Sequence, residues 1–200
     1  MSEHYFSKNP HSKSSPKNWH YNLRGRDFRF ASDAGVFSRD TVDFGSRLLI
    51  ESFTLPQVSG ELLDLGCGYG PVGIALGGAY PERQIVMSDI NERAVELARQ
   101  NAADNGIENV EILQSDGFSN LKERSFAAIL LNPPIRAGKS VIHSMFEYAA
   151  KAIIEGGEFW IVIQKKQGAP SAKEKLESLF GKVETVTKDK GYIIFKSSKV

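Results

Sequence analysis

Three carboxylates each follow a short apolar run, and the first of them stands beside a glycine-rich turn. Asp64 opens the stretch D-L-G-C-G-Y-G, Asp89 ends "QIVMSD", and Asp116 lies in "LQSDGF". Glycines at a strand-to-helix turn let the backbone approach a ligand closely and point amide groups at it. Because the carboxyl ends of parallel strands share one sheet edge, the three acids are expected to converge on one ligand. A tight turn without a ligand and ordinary capping acids are the alternatives.

Two classes of ligand fit the glycine turn. Gly68, Gly70 and Gly73 match the G-x-G-x-x-G spacing of dinucleotide sites, and Asp89 follows 16 residues later. S-adenosylmethionine also carries a ribose that Asp89 could bind, so this acid does not separate the two ligands. A carboxylate at Asp64 is awkward beside a pyrophosphate but suits an amino-acid ammonium group. The pattern therefore favours S-adenosylmethionine over a nicotinamide dinucleotide.

The run "ILLNPPIRAGK" ends an apolar strand with Asn132 and two prolines. Pro133 and Pro134 have fixed φ angles and bias Asn132 away from helical geometry, so its amide and the next carbonyl become rigid acceptors. An exocyclic amine on a base is a poor nucleophile, and two acceptors would orient its lone pair toward a methyl group. We therefore predict that Asn132, Pro133 and Pro134 are catalytic in methyl transfer without a strong base. A plain strand-ending turn is the alternative.

Length and composition fit one globular domain of 200 residues with 41% hydrophobic content. The formal net charge is +1, but residues 1–30 carry six Lys or Arg against two acids. The single cysteine, Cys67, excludes a disulfide framework and a cysteine-based zinc cluster. No apolar signal core or membrane-spanning run is present. We expect a cytoplasmic protein without a metal site.

Apolar runs alternate with helical segments from Glu61 onward, which predicts a parallel sheet with helices on both faces. One helix is expected after the capping Asn91, ending at Gly106. Two others are expected in "SRDTVDFGSRLLIESF", capped by a serine and bent near its glycine, and in "SVIHSMFEYAAKAIIEGG". The last segment, "KVETVTKDKGYIIFK", predicts a terminal hairpin that turns at Lys190-Gly191.

Residues 1–30 are expected to form a basic, aromatic-containing N-terminal arm, poorly ordered to about Trp19, and residues 31–200 the catalytic domain. The arm's aromatic residues and histidine are Tyr5, Phe6, Trp19, His20, Tyr21, Phe28 and Phe30. Together with its cations, they could contact phosphates and stack on unpaired bases. In the alternative view, the aromatic residues from Trp19 onward form a strand or cover the sheet.

The glycine turn, the three acids and Asn-Pro-Pro together resemble the class I S-adenosylmethionine-dependent methyltransferases, from about Val36 to the end of the chain. The resemblance implies a Rossmann-like α/β fold whose seven-stranded, mostly parallel sheet has an antiparallel last strand. It implies that Asp64 lies by the methionine moiety, Asp89 by the ribose and Asp116 by the adenine. The other cofactor contacts that it implies are Gly66, Cys67, Gly68, Gly70, Ile90, Gly117 and Asn132.

"NPPIRAGK" together with "GVFSRDTVDFGSRLL" looks most like the family that methylates guanine N2 in small-subunit ribosomal RNA. That resemblance implies RNA as the partner and places Phe37, Ser38 and Asp43 beside the cleft. Enzymes with an aromatic after Asn-Pro-Pro stack it on a planar substrate, whereas this chain has Ile135, which could still contact a base. Substrate-binding residues are therefore expected to be Phe37, Ile135, Arg136 and Lys139. The last two would hold phosphates beside a flipped nucleotide, unless they are only exposed charges at a helix start.

Three other activities stay open on the residues alone: a glutamine or small-molecule N-methyltransferase, a non-catalytic cofactor-binding RNA assembly factor, and a nicotinamide oxidoreductase. Members of the resembled family often carry an additional N-terminal domain, which a chain of 200 residues is too short to include.

Overall fold

The computed structural model describes Lys8 and residues 12–200. Tyr5 and Phe6, and with them the expectation of a poorly ordered start, lie outside the described residues. The strands are β1 (Lys17–Leu23), β2 (Arg26–Ser32), β3 (Leu62–Leu65), β4 (Ile85–Asp89), β5 (Val110–Gln114), β6 (Phe126–Leu131), β7 (Ile153–Gln164), β8 (Val183–Asp189) and β9 (Tyr192–Ser198). The helices are α1 (Phe44–Ser52), α2 (Pro71–Ala79), α3 (Glu92–Asp104), α4 (Lys139–Ala152) and α5 (Ala169–Phe180).

Seven of the strands form one sheet in the order β5-β4-β3-β6-β7-β9-β8. The first five of these run parallel, whereas β9 is antiparallel to both of its neighbours. The predicted fold class, a Rossmann-like seven-stranded sheet with an antiparallel last strand, is confirmed. The terminal hairpin is confirmed as well, with Lys190 and Gly191 both at positive φ in its turn.

Both faces of the sheet are covered, and β6 shows why its sequence is apolar throughout. Every residue of this strand is buried. Ala128 and Leu130 join one core cluster with residues of α1, α2 and α3, while Ile129 and Leu131 join the other with residues of α4 and α5. A parallel strand covered on both sides loses the alternation of polar and apolar residues, because neither face meets water.

Residues 17–32 form an antiparallel hairpin, β1-β2, that packs on the same core. Its two-residue turn is Arg24-Gly25, with φ angles of 51° and 76°, the combination that a type I′ turn requires. Phe28 and Phe30 are buried. The structure thus shows the alternative in which the aromatic residues form a strand, and the boundary expected at residue 30 falls inside β2.

Two arginines expected to be free on the arm are committed to the protein itself. The Arg24 guanidinium donates to the carbonyls of Ile50 and Phe53, at 2.8 and 2.9 Å, and to the Tyr80 hydroxyl. Arg26 donates to the Asn105 carbonyl at 2.8 Å. These contacts fasten the hairpin to α1, α2 and the end of α3.

Two helix boundaries differ from the sequence expectation. Ser38 does not cap a helix, because its φ of 52° is left-handed and its hydroxyl donates to the Thr41 carbonyl. Helix α1 begins at Phe44, after the cap residue Asp43. Helix α4 ends at Ala152, and the following Ile-Ile-Glu-Gly-Gly belongs to β7, as β-branched residues favour. The helix after Asn91 is confirmed, with its cap and Gly106 as predicted.

Candidate functional site

A cleft of about 790 Å³ lies at the carboxyl ends of the parallel strands. Such a volume suits a cofactor or a small substrate. The predicted residues that line it are Phe37, Asp64, Gly66, Cys67, Gly68, Asp89, Ile90, Asp116, Gly117, Asn132, Pro133, Pro134, Ile135 and Arg136. Gly70 and Lys139 are the two predicted site residues that do not line this cleft. The structure therefore brings the glycine turn, the three acids and the Asn-Pro-Pro motif to one edge of the sheet.

The glycine turn follows β3 and presents open backbone to the cleft. Gly66 and Gly68 have φ angles of 74° and 57°, and a side chain at either position would meet nothing within 4 Å. Gly70 is different, since a Cβ there would lie 2.8 Å from Ile74 and 2.9 Å from Met87. Gly70 is therefore required by helix packing, whereas Gly66 and Gly68 leave room at the surface of the cleft.

Two buried carboxylates sit under the turn. Asp64 accepts from the Gly73 N–H at 2.8 Å, and Asp89 accepts from the N–H groups of Gly68 and Asn91 at 2.8 and 2.9 Å. Burial, strengthened by the negative charge of Asp89, raises the pKa of Asp64 to about 7. Burial also raises the pKa of Asp89, against the hydrogen bonds that lower it.

Neither acid forms an ion pair with a described residue, and each oxygen has a further lone pair. A ligand that brings positive charge would relieve this unfavourable burial. The pair fits the ammonium and sulfonium of S-adenosylmethionine better than a pyrophosphate, which would add negative charge.

The third acid lies in a more open setting. Asp116 is exposed at the end of β5, in a turn closed by the Ser115 hydroxyl, which donates to the Gly117 carbonyl at 2.8 Å. The neighbouring Ile90 has its carbonyl bound by the Gln114 side chain at 2.9 Å. Cys67 is buried, and burial raises the pKa of its thiol, so it packs as a small apolar residue.

The Asn132 side chain has its amide nitrogen fully engaged. The nitrogen donates to the Asp43 carboxylate at 3.0 Å and to the Ser46 hydroxyl at 2.9 Å. A carboxylate only accepts hydrogen bonds, so Asp43 determines which end of the amide faces α1. Asp43 also caps this helix, accepting from the Ser46 N–H at 3.0 Å. Both amide protons are used, and the Asn132 carbonyl oxygen remains for a ligand in the cleft.

Several lining residues were not identified from the sequence. They are Ser46, Tyr69, Met145, Gln164, Gln167 and Tyr192. Gln164 follows the strand-end rule that located the acids, because it closes "EFWIVIQ" at the end of β7. Ser46 and Tyr192 reach the cleft only through tertiary packing, so no local pattern indicates them. His143 lies outside the cleft, stacked on Phe146.

The glycine turn, the strand-end acids and the sheet order define a class I S-adenosylmethionine-dependent methyltransferase. Residues 27–196 match the family model described as Methyltransferase small domain, and the chain belongs to that family. The predicted enzyme class, cofactor and family resemblance are confirmed. Among the described residues, no cluster of His, Cys, Asp or Glu is arranged to hold a metal ion. None of the helices in that part of the chain is long and apolar enough to cross a membrane.

Three relatives illustrate the similarity. The uncharacterized protein YbxB of Bacillus subtilis is 59% identical over the full length of both chains. The ribosomal RNA large subunit methyltransferase G of Streptomyces avermitilis is 34% identical over 83% of this chain and 44% of its own. The structure of the T. thermophilus 16S rRNA N2 methyltransferase RsmC, in complex with AdoMet and guanosine, matches with a TM-score of 0.82 and 25% identity, over 96% of this chain and 52% of that one. The chain thus spans about half the length of these two ribosomal RNA methyltransferases.

Proposed function

We propose that the protein transfers a methyl group from S-adenosylmethionine to N2 of a guanine in small-subunit ribosomal RNA. The observation that carries the proposal is the Asn132 amide, whose nitrogen is held by Asp43 and Ser46 while its oxygen remains for an amine donor. The similarity to an N2 methyltransferase structure that holds guanosine supports guanine as the base. Ribosomal RNA as the substrate also supports a cytoplasmic location.

The acceptor geometry explains how a weak amine nucleophile is handled. The Pro134 carbonyl already accepts from the Ala137 N–H at 2.8 Å, which leaves the Pro133 carbonyl as the second acceptor beside Asn132. These two oxygens accept the two amine protons and turn the nitrogen lone pair toward the methyl group. The bound cofactor supplies that methyl group as an electrophile on a sulfonium.

The Asp43 carboxylate strengthens the Asn132 oxygen as an acceptor. A hydrogen bond from the amide nitrogen to a carboxylate polarises the amide, so that more negative charge lies on the carbonyl oxygen. The amine nitrogen becomes positive as the new bond forms, and this oxygen stabilises that charge. Asp43 is thus a positioning residue that acts through Asn132, and the arrangement requires no strong base.

Phe37 supports a planar substrate despite the absence of an aromatic residue after Asn-Pro-Pro. Phe37 lines the cleft and is 38% exposed, an unusual exposure for a large apolar side chain. Ile135 lines the same cleft from the turn after Pro134 and is partly buried. We assign Phe37 the face of the base and Ile135 an apolar contact at its edge.

The test is methyl transfer to ribosomal subunits from cells that lack this gene. Purified protein is incubated with radiolabelled S-adenosylmethionine and either small or large subunits, and the nucleosides of each RNA are separated. We expect label in N2-methylguanosine of the small-subunit RNA, and none when the Asn132→Ala variant is used.

The other outcomes distinguish the alternatives. Label confined to large-subunit RNA would favour the second candidate, which the similarity to large-subunit methyltransferases supports. RNA binding without label would favour a non-catalytic assembly factor. Cofactor binding without RNA binding or RNA labelling would favour a glutamine or small-molecule N-methyltransferase.

A further inference from the structure

Charge is divided unevenly between the two sides of the cleft. Residues 31–135, which build the glycine turn and the three acids, hold seven Lys or Arg against fifteen Asp or Glu, a net charge of −8. Residues 136–200, which build α4, β7, α5, β8 and β9, hold twelve against seven, a net charge of +5. The acidic side is occupied by the predicted cofactor contacts. The basic side begins at the Asn-Pro-Pro motif, where the substrate must enter.

Two adjacent lysines stand at the mouth of the cleft on this basic side. Lys165 and Lys166 follow β7 in a short 3-10 turn that Gln167 completes. The residues on either side of the pair, Gln164 and Gln167, both line the cleft. Both lysines are exposed, and neither forms an ion pair with a described residue. Their ammonium groups therefore stand at the rim without a protein partner.

A third lysine reaches the same rim from the β8-β9 turn. The Lys165 N–H donates to the Gly191 carbonyl at 2.8 Å, so the two turns are in direct contact. The Lys190 ammonium lies 5.0 Å from the centroid of the Phe44 ring. The Phe44 ring lies 5.4 Å from that of Tyr192, which lines the cleft. Lys190 is thus held at the rim by an aromatic face rather than neutralised by an acid.

The acids nearest to this cluster do not cancel its charge. Asp189, which precedes Lys190, lies where it raises the pKa of the Arg47 guanidinium together with Tyr21 and Glu51. Arg47 is therefore the cation that this acid serves. Lys165, Lys166 and Lys190, here called the lysine rim, keep their charge for another partner.

We propose that the lysine rim binds the phosphates of an RNA strand next to the nucleotide that enters the cleft. A target base must leave its stack to reach Asn132, and the flanking backbone then lies across the mouth of the cleft. Arg136 lines the cleft immediately after Pro134 and contacts the strand on the other side of the base. Such phosphate contacts position the RNA without reading its sequence. This inference rests on the proposed function and names the surface that function uses.

A pair of double variants tests the inference with matched charge. K165E/K166E reverses the rim, whereas K122E/K182E reverses two exposed lysines at the opposite edge of the sheet. Lys122 precedes β6 and Lys182 precedes β8, and both strands run toward the cleft. RNA binding is measured by fluorescence anisotropy over a series of salt concentrations, and S-adenosylmethionine binding by calorimetry.

We expect K165E/K166E to weaken RNA binding by about tenfold or more and to reduce the salt dependence by about 0.7 per lost phosphate contact. Its affinity for S-adenosylmethionine should stay unchanged, and K122E/K182E should bind RNA within about twofold of the parent, allowing for long-range screening. Equal weakening in both double variants, or in neither, would overturn the lysine rim while leaving RNA methylation intact. Failure of the parent chain to bind RNA would overturn the rim and the proposed function together. If K165E/K166E does not fold, K165Q/K166Q gives the same comparison.

Discussion

The two sides of the cleft hold their charges in opposite ways. Asp64 and Asp89 are buried and contacted by backbone N–H groups, whereas Arg136, Lys165 and Lys166 are exposed. A buried charge is little screened by salt but titrates near neutral pH, as the pKa of about 7 for Asp64 illustrates. An exposed lysine is screened by salt but keeps its proton. Cofactor binding should therefore respond to pH and RNA binding to salt.

The largest expected effect lies between the two sides, at Asn132. Asn132→Ala should lower kcat by roughly 100- to 1,000-fold, the cost of removing one hydrogen-bonding group that acts mainly in the transition state. Affinity for S-adenosylmethionine should remain within about threefold, because that site is built by the acidic side. Single-turnover methyl transfer and calorimetry measure the two quantities. Equal losses in kcat and cofactor affinity would argue against the separation of the two sides.

On the acidic side, Asp89→Ala should weaken binding of S-adenosylmethionine by roughly 10- to 100-fold. A hydrogen bond to a charged group contributes about 1.5–3 kcal/mol, and Asp89 also organises the Gly68 N–H of the turn. Saturating cofactor should restore kcat, since Asn132 and Asp43 are untouched. The check is calorimetry beside kcat at high cofactor concentration. Unchanged affinity would rule out the role of Asp89.

The sequence located the acidic side well because its residues obey a local rule. Asp64, Asp89 and Asp116 each end a strand, and parallel strands bring such ends together whatever the details of packing. The basic side was harder, since Ser46 meets Asn132 across 86 residues of chain and Tyr192 reaches the cleft on an antiparallel strand. No periodicity encodes contacts of this kind.

The two hairpins illustrate a second limit of pattern reading. Arg24-Gly25 and Lys190-Gly191 form equivalent turns, each with a cation at positive φ before a glycine. Only the second was predicted, because it is flanked by clear β-branched runs, whereas β1-β2 carries a charge or amide at most of its exposed positions. Composition alone made that hairpin resemble a solvated arm, although its apolar residues are buried in the core.

A smaller effect is expected from freeing the Asn132 amide without removing it. Asp43→Ser keeps an oxygen that can cap α1, but the shorter side chain does not reach Asn132. We expect kcat to fall roughly 10- to 30-fold, about 1.4–2 kcal/mol, with an unchanged melting temperature and unchanged cofactor affinity. Asp43→Asn keeps the reach and should recover part of this loss. Full activity of Asp43→Ser would show that the carboxylate does not position the amide.

The smallest expected effect is a pH dependence confined to the acidic side. Below pH 7 the cofactor-free protein binds a proton at Asp64, whose pKa is raised to about 7 by burial. A cationic cofactor favours the ionised carboxylate, so binding releases this proton and affinity rises with pH until about pH 7, then levels off. From pH 6 to pH 8 the gain should be about tenfold at most. Calorimetry in buffers of different ionisation enthalpy measures both the affinity and the proton released.

Asp64→Asn is the matched control for that titration, because its side-chain oxygen can still accept from the Gly73 N–H. This variant should bind the cofactor more weakly and with a flat profile between pH 6 and pH 8. RNA binding by the lysine rim should change little over the same range, since lysines titrate far above it. A parent profile that falls with rising pH would assign the opposite sign to the Asp64 proton. A salt dependence as steep for the cofactor as for RNA would remove the distinction between buried and exposed charge on which the comparison rests.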